Sequence, residues 1–191
     1  MSKISPLAFI DPEAKIGENC EIGPFCFIDK NVEIGDNNVL MNSVSVLYGA
    51  RIGNGNVIFP GAVISAVPQD LKFRGEETTA EVGDNNKIRE NVTINRGTAA
   101  KGKTCVGSGN LLMESVHVAH DAFVGNDCII GNGTKLAGEI IIDDHAIISA
   151  NVLMHQFCRV GGYTMVGGGT RFSQDIPPYT ICCLLYTSPS P

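Results

Sequence analysis

With 191 residues the chain is one domain's worth by length, and long enough for a sizeable core. Only 18% of residues are charged and the formal net charge is -6, which offers no global attraction to nucleic acid or an anionic membrane. No apolar run of membrane-crossing length and no secretory pattern is readable, and the 7 cysteines include no C-x-x-C pair, so a reducing, cytoplasmic setting is expected.

The first element signal along the chain is a period of six. From Ile10 it steps through Ile16, Ile22, Ile28, Ile34, Leu40, Val46, Ile52, Ile58 and Ile64. Two positions earlier stand small or β-branched residues such as Ala14, Cys20, Cys26, Val44, Ala50 and Ala62, on the same side of a strand. Glycines such as Gly17, Gly23, Gly35 and Gly53 follow the periodic residue, often with Asn or Asp next, and mark bends. Each hexad is therefore a short strand with two inward side chains and a turn. Three hexads close a triangular coil, and coils stack ~4.8 Å apart as in a parallel sheet. A helix is excluded because residues six apart do not share a helix face.

Residues 65–81 leave the period and read as an outward loop; 98–103 form a shorter basic bulge. Val82, Ile88 and Ile94 keep the phase between them. From Val106 to Phe172 the winding is uninterrupted, so residues 18 apart are expected to stack. That places His120, Gly138, Gln156 and Gln174 in one column on one edge, with His155 beside Gln156. A histidine base, a glycine amide for an oxyanion and an amide side chain on one wall are what acyl transfer needs. His117 alternates outward and His120 falls at a bend, so both are expected to be accessible, and Asp121 is placed to hold the His120 tautomer. His145 reads as a solvated bend residue. Cys20, Cys26, Cys128 and Cys158 read as compact core residues. His117 and His120 point in different directions in a strand-turn geometry, so no metal site is expected from them.

Nine segments carry a resemblance. They are Pro68-Gln69-Asp70-Leu71-Lys72, Lys87-Ile88-Arg89-Glu90 with Ile94-Asn95-Arg96-Gly97-Thr98, Asn110-Leu111-Leu112-Met113, His117-Val118-Ala119-His120-Asp121, Leu136-Ala137-Gly138, His155-Gln156-Phe157, Met165-Val166-Gly167-Gly168 and Asp175-Ile176-Pro177-Pro178-Tyr179. In this order they resemble the UDP-N-acetylglucosamine O-acyltransferases, a family of hexapeptide-repeat transferases. The resemblance implies an all-β, left-handed parallel β-helix, a triangular prism over residues 1–181 with outward loops at 65–81 and 98–103. The handedness comes from the resemblance, because periodicity does not set it.

The same resemblance implies transfer of a 3-hydroxyacyl chain from acyl carrier protein to the 3-hydroxyl of UDP-N-acetylglucosamine, the first step of lipid A biosynthesis. His120 would be the general base, Asp121 its orienting partner and Gly138 the oxyanion donor. Gln69, Asp70, Lys72, Met113, His117, His155 and Gln156 would contact substrate, and Gly168 would be the acyl-chain ruler. The donor's phosphopantetheine belongs to acyl carrier protein, so no separate cofactor is implied, and the site would lie between prisms of a homotrimer. Two departures stand out. Glu139 occupies a position where the family often has histidine, and similarity stops after Ile181, so that residues 182–191 read as a non-family tail replacing a C-terminal helical domain. A related N-acyltransferase, an acetyl-coenzyme A-dependent transferase, a zinc-binding β-helix trimer and a non-catalytic scaffold are the alternatives. The Q-D-L-K and H-V-A-H-D segments favour the O-acyltransferase.

Overall fold

A computed structural model of the chain describes residues 2–183. The periodic residues form short strands, most of two residues, each ended by a bend. Asn19, Asn31, Asn37, Asn85, Asn91, Asp127 and Asn151 take left-handed backbone at these bends, where a short polar side chain is tolerated. Lys3–Ile4, Phe9–Ile10 and Lys15–Ile16 make the first coil and begin three parallel sheets of 10, 9 and 8 strands, here the first, second and third faces. Ile4 pairs with Ile22, Ile10 with Ile28 and Ile16 with Ile34. The result is a left-handed parallel β-helix, an exception to the right-handed crossover rule. Its core is the column of periodic residues; Ile28, Ile58, Ile64, Ile94, Leu112, Ile130 and Ile148 are wholly buried.

The second inward position departs from expectation along one corner. Instead of small or β-branched residues it holds Asn38, Asn56, Asn86 and Asn110, all buried. Each side-chain oxygen accepts the backbone N–H of the next coil: Asn56 to Asn38 at 2.8 Å, Asn86 to Asn56 at 2.9 Å, Asn110 to Asn86 at 2.9 Å, and Cys128 to Asn110 at 2.7 Å. At this bend the amides turn inward, away from any carbonyl of the sheet, and a buried N–H requires an acceptor. Cys20, Cys26, Cys128 and Cys158 are buried, whereas Cys105 faces outward on the third face, half-buried.

Both excursions preserve the phase. Ile58 pairs with Ile88 and Ile88 with Leu112, steps of 30 and 24 residues in place of 18, and all three are multiples of six. The strands either side of the first excursion are Val63–Ala66 and Thr79–Val82, so the loop proper is 67–78 and not 65–81. The second lies between Thr93–Asn95 and Lys103–Val106, so it is 96–102 and not 98–103. Parallel pairing recruits backbone ahead of the next periodic side chain, as Thr79 with Lys103 shows.

The stacking expected of Gln174 is not found. Met154 pairs with Phe172, but Val160 bridges Ile176, which closes this coil two residues short. Asp175 Oδ1 accepts the Arg159 N–H at 2.8 Å, and Pro177 and Pro178, which lack an N–H, follow. Ile181–Cys182 still pairs with Met165–Val166, so the first residue of the expected tail belongs to the prism; residues 184–191 lie outside the described residues. Among the described residues no helix is long and apolar enough to cross a membrane.

Candidate active site

The bend after His117–Val118 presents His120 and Asp121 at the corner between the second and third faces. Asp121 has φ 59°, and its carboxylate turns into a buried socket made by the second excursion. Oδ1 accepts the Thr98 N–H at 2.9 Å and the Lys101 N–H at 3.3 Å. Oδ2 accepts the Thr98 hydroxyl at 2.6 Å and lies 2.8 Å from His120 Nδ1. The Asp121 N–H donates to Thr104 Oγ1 at 2.8 Å. Burial alone would raise the Asp121 carboxyl, but the Thr98 hydroxyl, His120 and the Thr98 amide together hold it below its ordinary value. A carboxylate accepts only, so the proton of neutral His120 is assigned to Nδ1 and the lone pair to Nε2.

Nε2 faces the first excursion. Asp70 Oδ2 stands 4.0 Å from it, too far for a direct hydrogen bond, and an oxygen lying beside the pair could reach both. Asp70 Oδ1 is already committed to the Lys72 N–H at 2.8 Å. Gly138 lies one coil below His120: the Glu139 N–H donates to His120 O at 3.1 Å, and the Phe157 N–H to Gly138 O at 3.2 Å. His120, Gly138 and Gln156 thus form the expected column. A Cβ at Gly138 would stand 2.7 Å from His120 Cε1 and 2.8 Å from Nε2, so any side chain there would displace the imidazole. Among the described residues the Gly138 N–H makes no hydrogen bond, which leaves it available as a donor.

His117 lies on the outer surface of the second face between Thr93 and Lys135. Thr93 Oγ1 is 2.6 Å from its Nδ1. Burial, then the charges of Lys135 and His120, lower its pKa, which keeps it neutral near pH 7. Neither histidine is as accessible as the period suggested: the His120 side chain is 17% exposed, and His117 is half-buried by the coils above and below. Gln69 and Lys72 are exposed on the loop beside Asp70; His155 and Gln156 are exposed at the His120 corner, with His155 Nδ1 3.2 Å from Gln156 O. Met113 and Gly168 sit on another corner, between the first and second faces. Two open depressions of about 650 and 670 Å³ lie by Lys3 and Pro24 and between Glu33 and Phe123, and neither borders His120. Among the described residues no group of three His, Cys, Asp or Glu side chains converges on a metal position.

No protein-family model matches the chain. A curated acyl-(acyl-carrier-protein)–UDP-N-acetylglucosamine O-acyltransferase of Aliarcobacter butzleri is 45% identical over 182 residues, covering 95% of this chain and 70% of the relative. The chain belongs to the UDP-N-acetylglucosamine O-acyltransferase family. The crystal structure of a UDP-N-acetylglucosamine acyltransferase from Bacteroides fragilis agrees: it is 75% identical, with a TM-score of 0.92 over 93% of this chain and 70% of that one. A Francisella novicida UDP-N-acetylglucosamine acyltransferase is 42% identical with a TM-score of 0.94, over 95% of this chain and 67% of that one.

For this acyltransferase, sequence reasoning named His120, Asp121 and Gly138 but not what holds them. Thr98, Lys101 and Thr104 build the socket of Asp121, and Thr93 engages His117. The signal available was the second excursion itself. An insertion of one whole hexad directly above the His120 bend is expected to cover that bend, and Gly97 at its base permits close packing, since a Cβ there would collide with the Lys103 backbone. Glu139 in the acyltransferase has φ 60° and its backbone is tied to His120.

Proposed function

We propose that the chain transfers a 3-hydroxyacyl group from acyl carrier protein to the 3-hydroxyl of UDP-N-acetylglucosamine, as the cytoplasmic first step of lipid A biosynthesis. The observation that carries this reading is the polarised His120: Nδ1 is held by a buried carboxylate, and Nε2 faces a gap bounded by Asp70. A sugar hydroxyl in that gap gives its proton to Nε2 as its oxygen attacks the thioester carbonyl. The Gly138 N–H stabilises the oxyanion. When the intermediate collapses, the new C–O ester bond remains, the C–S bond breaks, and the imidazolium returns its proton to the leaving thiolate. No acyl-enzyme and no cofactor beyond the donor's own phosphopantetheine is needed. Asp70, with Gln69, Lys72, His117 and Gln156, holds the sugar nucleotide, His155 lines the site, and Met113 and Gly168 contact the donor's side. Incubating the chain with UDP-N-acetylglucosamine and 3-hydroxyacyl carrier protein tests the reading by mass spectrometry of the product. An O-acylated sugar nucleotide supports it, and release of free acid alone defeats it.

In a single prism these residues lie on two corners. A homotrimer in which one prism's corner meets its neighbour's would bring the two sets together. Sedimentation should therefore give three subunits, and an active, stable monomer would remove the shared-site reading.

Gly168 is suited to limit acyl length. Its backbone is not left-handed, and a Cβ there would meet only Ala150 O at 3.3 Å and Ser149 Cβ at 3.8 Å, so a side chain fits after a small adjustment. Gly168→Met should close the end of the acyl groove while sparing sugar-nucleotide affinity. Excluding four methylenes at roughly 0.8 kcal/mol each costs about 3 kcal/mol, a few hundred-fold in preference for short over long donors. Equal losses with both donors would make Gly168 a turn glycine only.

A further inference from the structure

The tip of the 67–78 loop is a self-contained turn. The Phe73 N–H donates to Asp70 O at 3.0 Å, the Lys72 N–H to Asp70 Oδ1 at 2.8 Å, and Arg74 Nη1 to Leu71 O at 2.7 Å. These bonds shape the tip, but they do not say where it stands over the prism. Its neck is tied at several points. Ser65, at φ 68°, turns the chain out of the coil and donates its hydroxyl to Tyr48 O at 2.7 Å; Asn95 Nδ2 donates to Val67 O at 2.8 Å. Neither contact reaches the segment that carries Asp70.

Arg96 does. Its N–H donates to Ala66 O at 2.9 Å, and its guanidinium carbon lies 5.3 Å from the ring centre of Phe73 and 5.5 Å from that of Tyr48. One ring belongs to the loop and the other to the coil. Only Nη1 approaches an acceptor, Tyr48 O at 3.5 Å, while Nε is buried with no partner among the described residues. A side chain that leaves a donor unmet in order to lie between two rings is placed there by its flat, cationic faces. The buried unpartnered atoms among the described residues are this Nε, Asn95 Oδ1 and Thr78 Oγ1; Thr78 ends this loop, and Asn95 and Arg96 bond the backbone of its neck at Val67 and Ala66.

We propose that Arg96 is a positioning residue for the transfer reaction. By joining Phe73 to Tyr48 it sets the stand-off between Asp70 and His120 Nε2, and with it the capture of the sugar-nucleotide acceptor. The inference rests on the reading of His120 as base and Asp70 as an acceptor contact. It separates Arg96 from a residue that merely fills the neck, because only a positioning role acts on one substrate and not the other.

The test compares R96A, R96K and F73A with the unsubstituted chain by amide hydrogen exchange, by calorimetric binding of UDP-N-acetylglucosamine and by steady-state kinetics. R96A is expected to speed exchange of the Lys72 and Phe73 amides, to weaken UDP-N-acetylglucosamine binding about tenfold or more, and to leave the KM for the acyl donor unchanged. R96K, which restores charge without the planar stack, recovers only part of the loss. F73A matches R96A, and the double variant is no worse than either single one. Unchanged loop exchange, additive losses, full rescue by R96K, or parallel loss of donor and acceptor affinity with a fall in Tm would each overturn the proposal. Failure of the functional reading looks different: H120A would then keep full turnover, while the loop exchange and binding results would still decide the role of Arg96.

Discussion

His120→Ala is expected to lower turnover by about two to four powers of ten, the usual span for loss of a general base. The substitution removes the one side chain whose reactive nitrogen faces the gap beside Asp70 and whose other nitrogen is held by a buried carboxylate. It opens space above Gly138 but leaves the Asp121 carboxylate with its Thr98 and Lys101 donors, so the prism should fold. His145→Ala is the control. His145 is not merely solvated: its ring stacks on Tyr163 at 4.6 Å, Tyr163 stacks on Tyr179 at 5.3 Å, and Asp127 lies 3.9 Å from Nδ1. This aromatic column runs along the corner between the third and first faces, away from His120. Its loss should trim stability slightly and leave turnover intact. If both alanine variants lost turnover equally, His120 would have no special place in the chemistry.

Asp121→Asn is expected to cut turnover almost as deeply while keeping the fold. The two backbone donors, Thr98 N–H and Lys101 N–H, both point at Oδ1, so an asparagine must place its carbonyl oxygen there and its NH2 where Oδ2 was. The Thr98 hydroxyl can rotate to accept from that NH2. His120 Nδ1 must then accept too, which moves its proton to Nε2 and removes the lone pair that the proposed proton transfer requires. The loss should reach about 10²–10⁴-fold in kcat, with little change in KM, at a stability cost of about 1–2 kcal/mol from replacing charge-assisted bonds by neutral ones.

The same carboxylate gives stability a pH dependence of defined sign. Its pKa is lowered in the folded chain from an ordinary 3.8, so its contribution is fully present above that value and disappears as pH falls through the folded value. Thermal unfolding followed from pH 7 down to about pH 3 should show a loss in the unsubstituted chain that is smaller in D121N. A decline identical in both would show that the Asp121 socket adds nothing to acid stability.

Much of this was legible before any coordinates. The six-residue period placed the coils, and because side chains alternate along a strand it also placed His117 outward and His120 at a bend. The stack of His120, Gly138 and Gln156 followed from counting by 18 where nothing interrupts the winding. Counting failed at Gln174, where Asp175 and two prolines shorten the coil, since a period describes only residues that obey it. It failed also along the asparagine corner. There the inward amides required acceptors, a demand of backbone geometry that no hydrophobic pattern records.

By itself, then, the sequence determined the prism, its corners and the column that bears His120, because a strict period ties each residue to one place in a repeating coil. Only the tertiary structure decided what surrounds His120. The excursions 67–78 and 96–102 carry no period, so their paths depend on contacts distant in sequence: Arg96 with Tyr48 and Phe73 for the first, Asp121 with Thr98 and Lys101 for the second. A loop's course is set by the few places where its backbone donors and ring faces find partners, and those partners exist only once the coils have stacked.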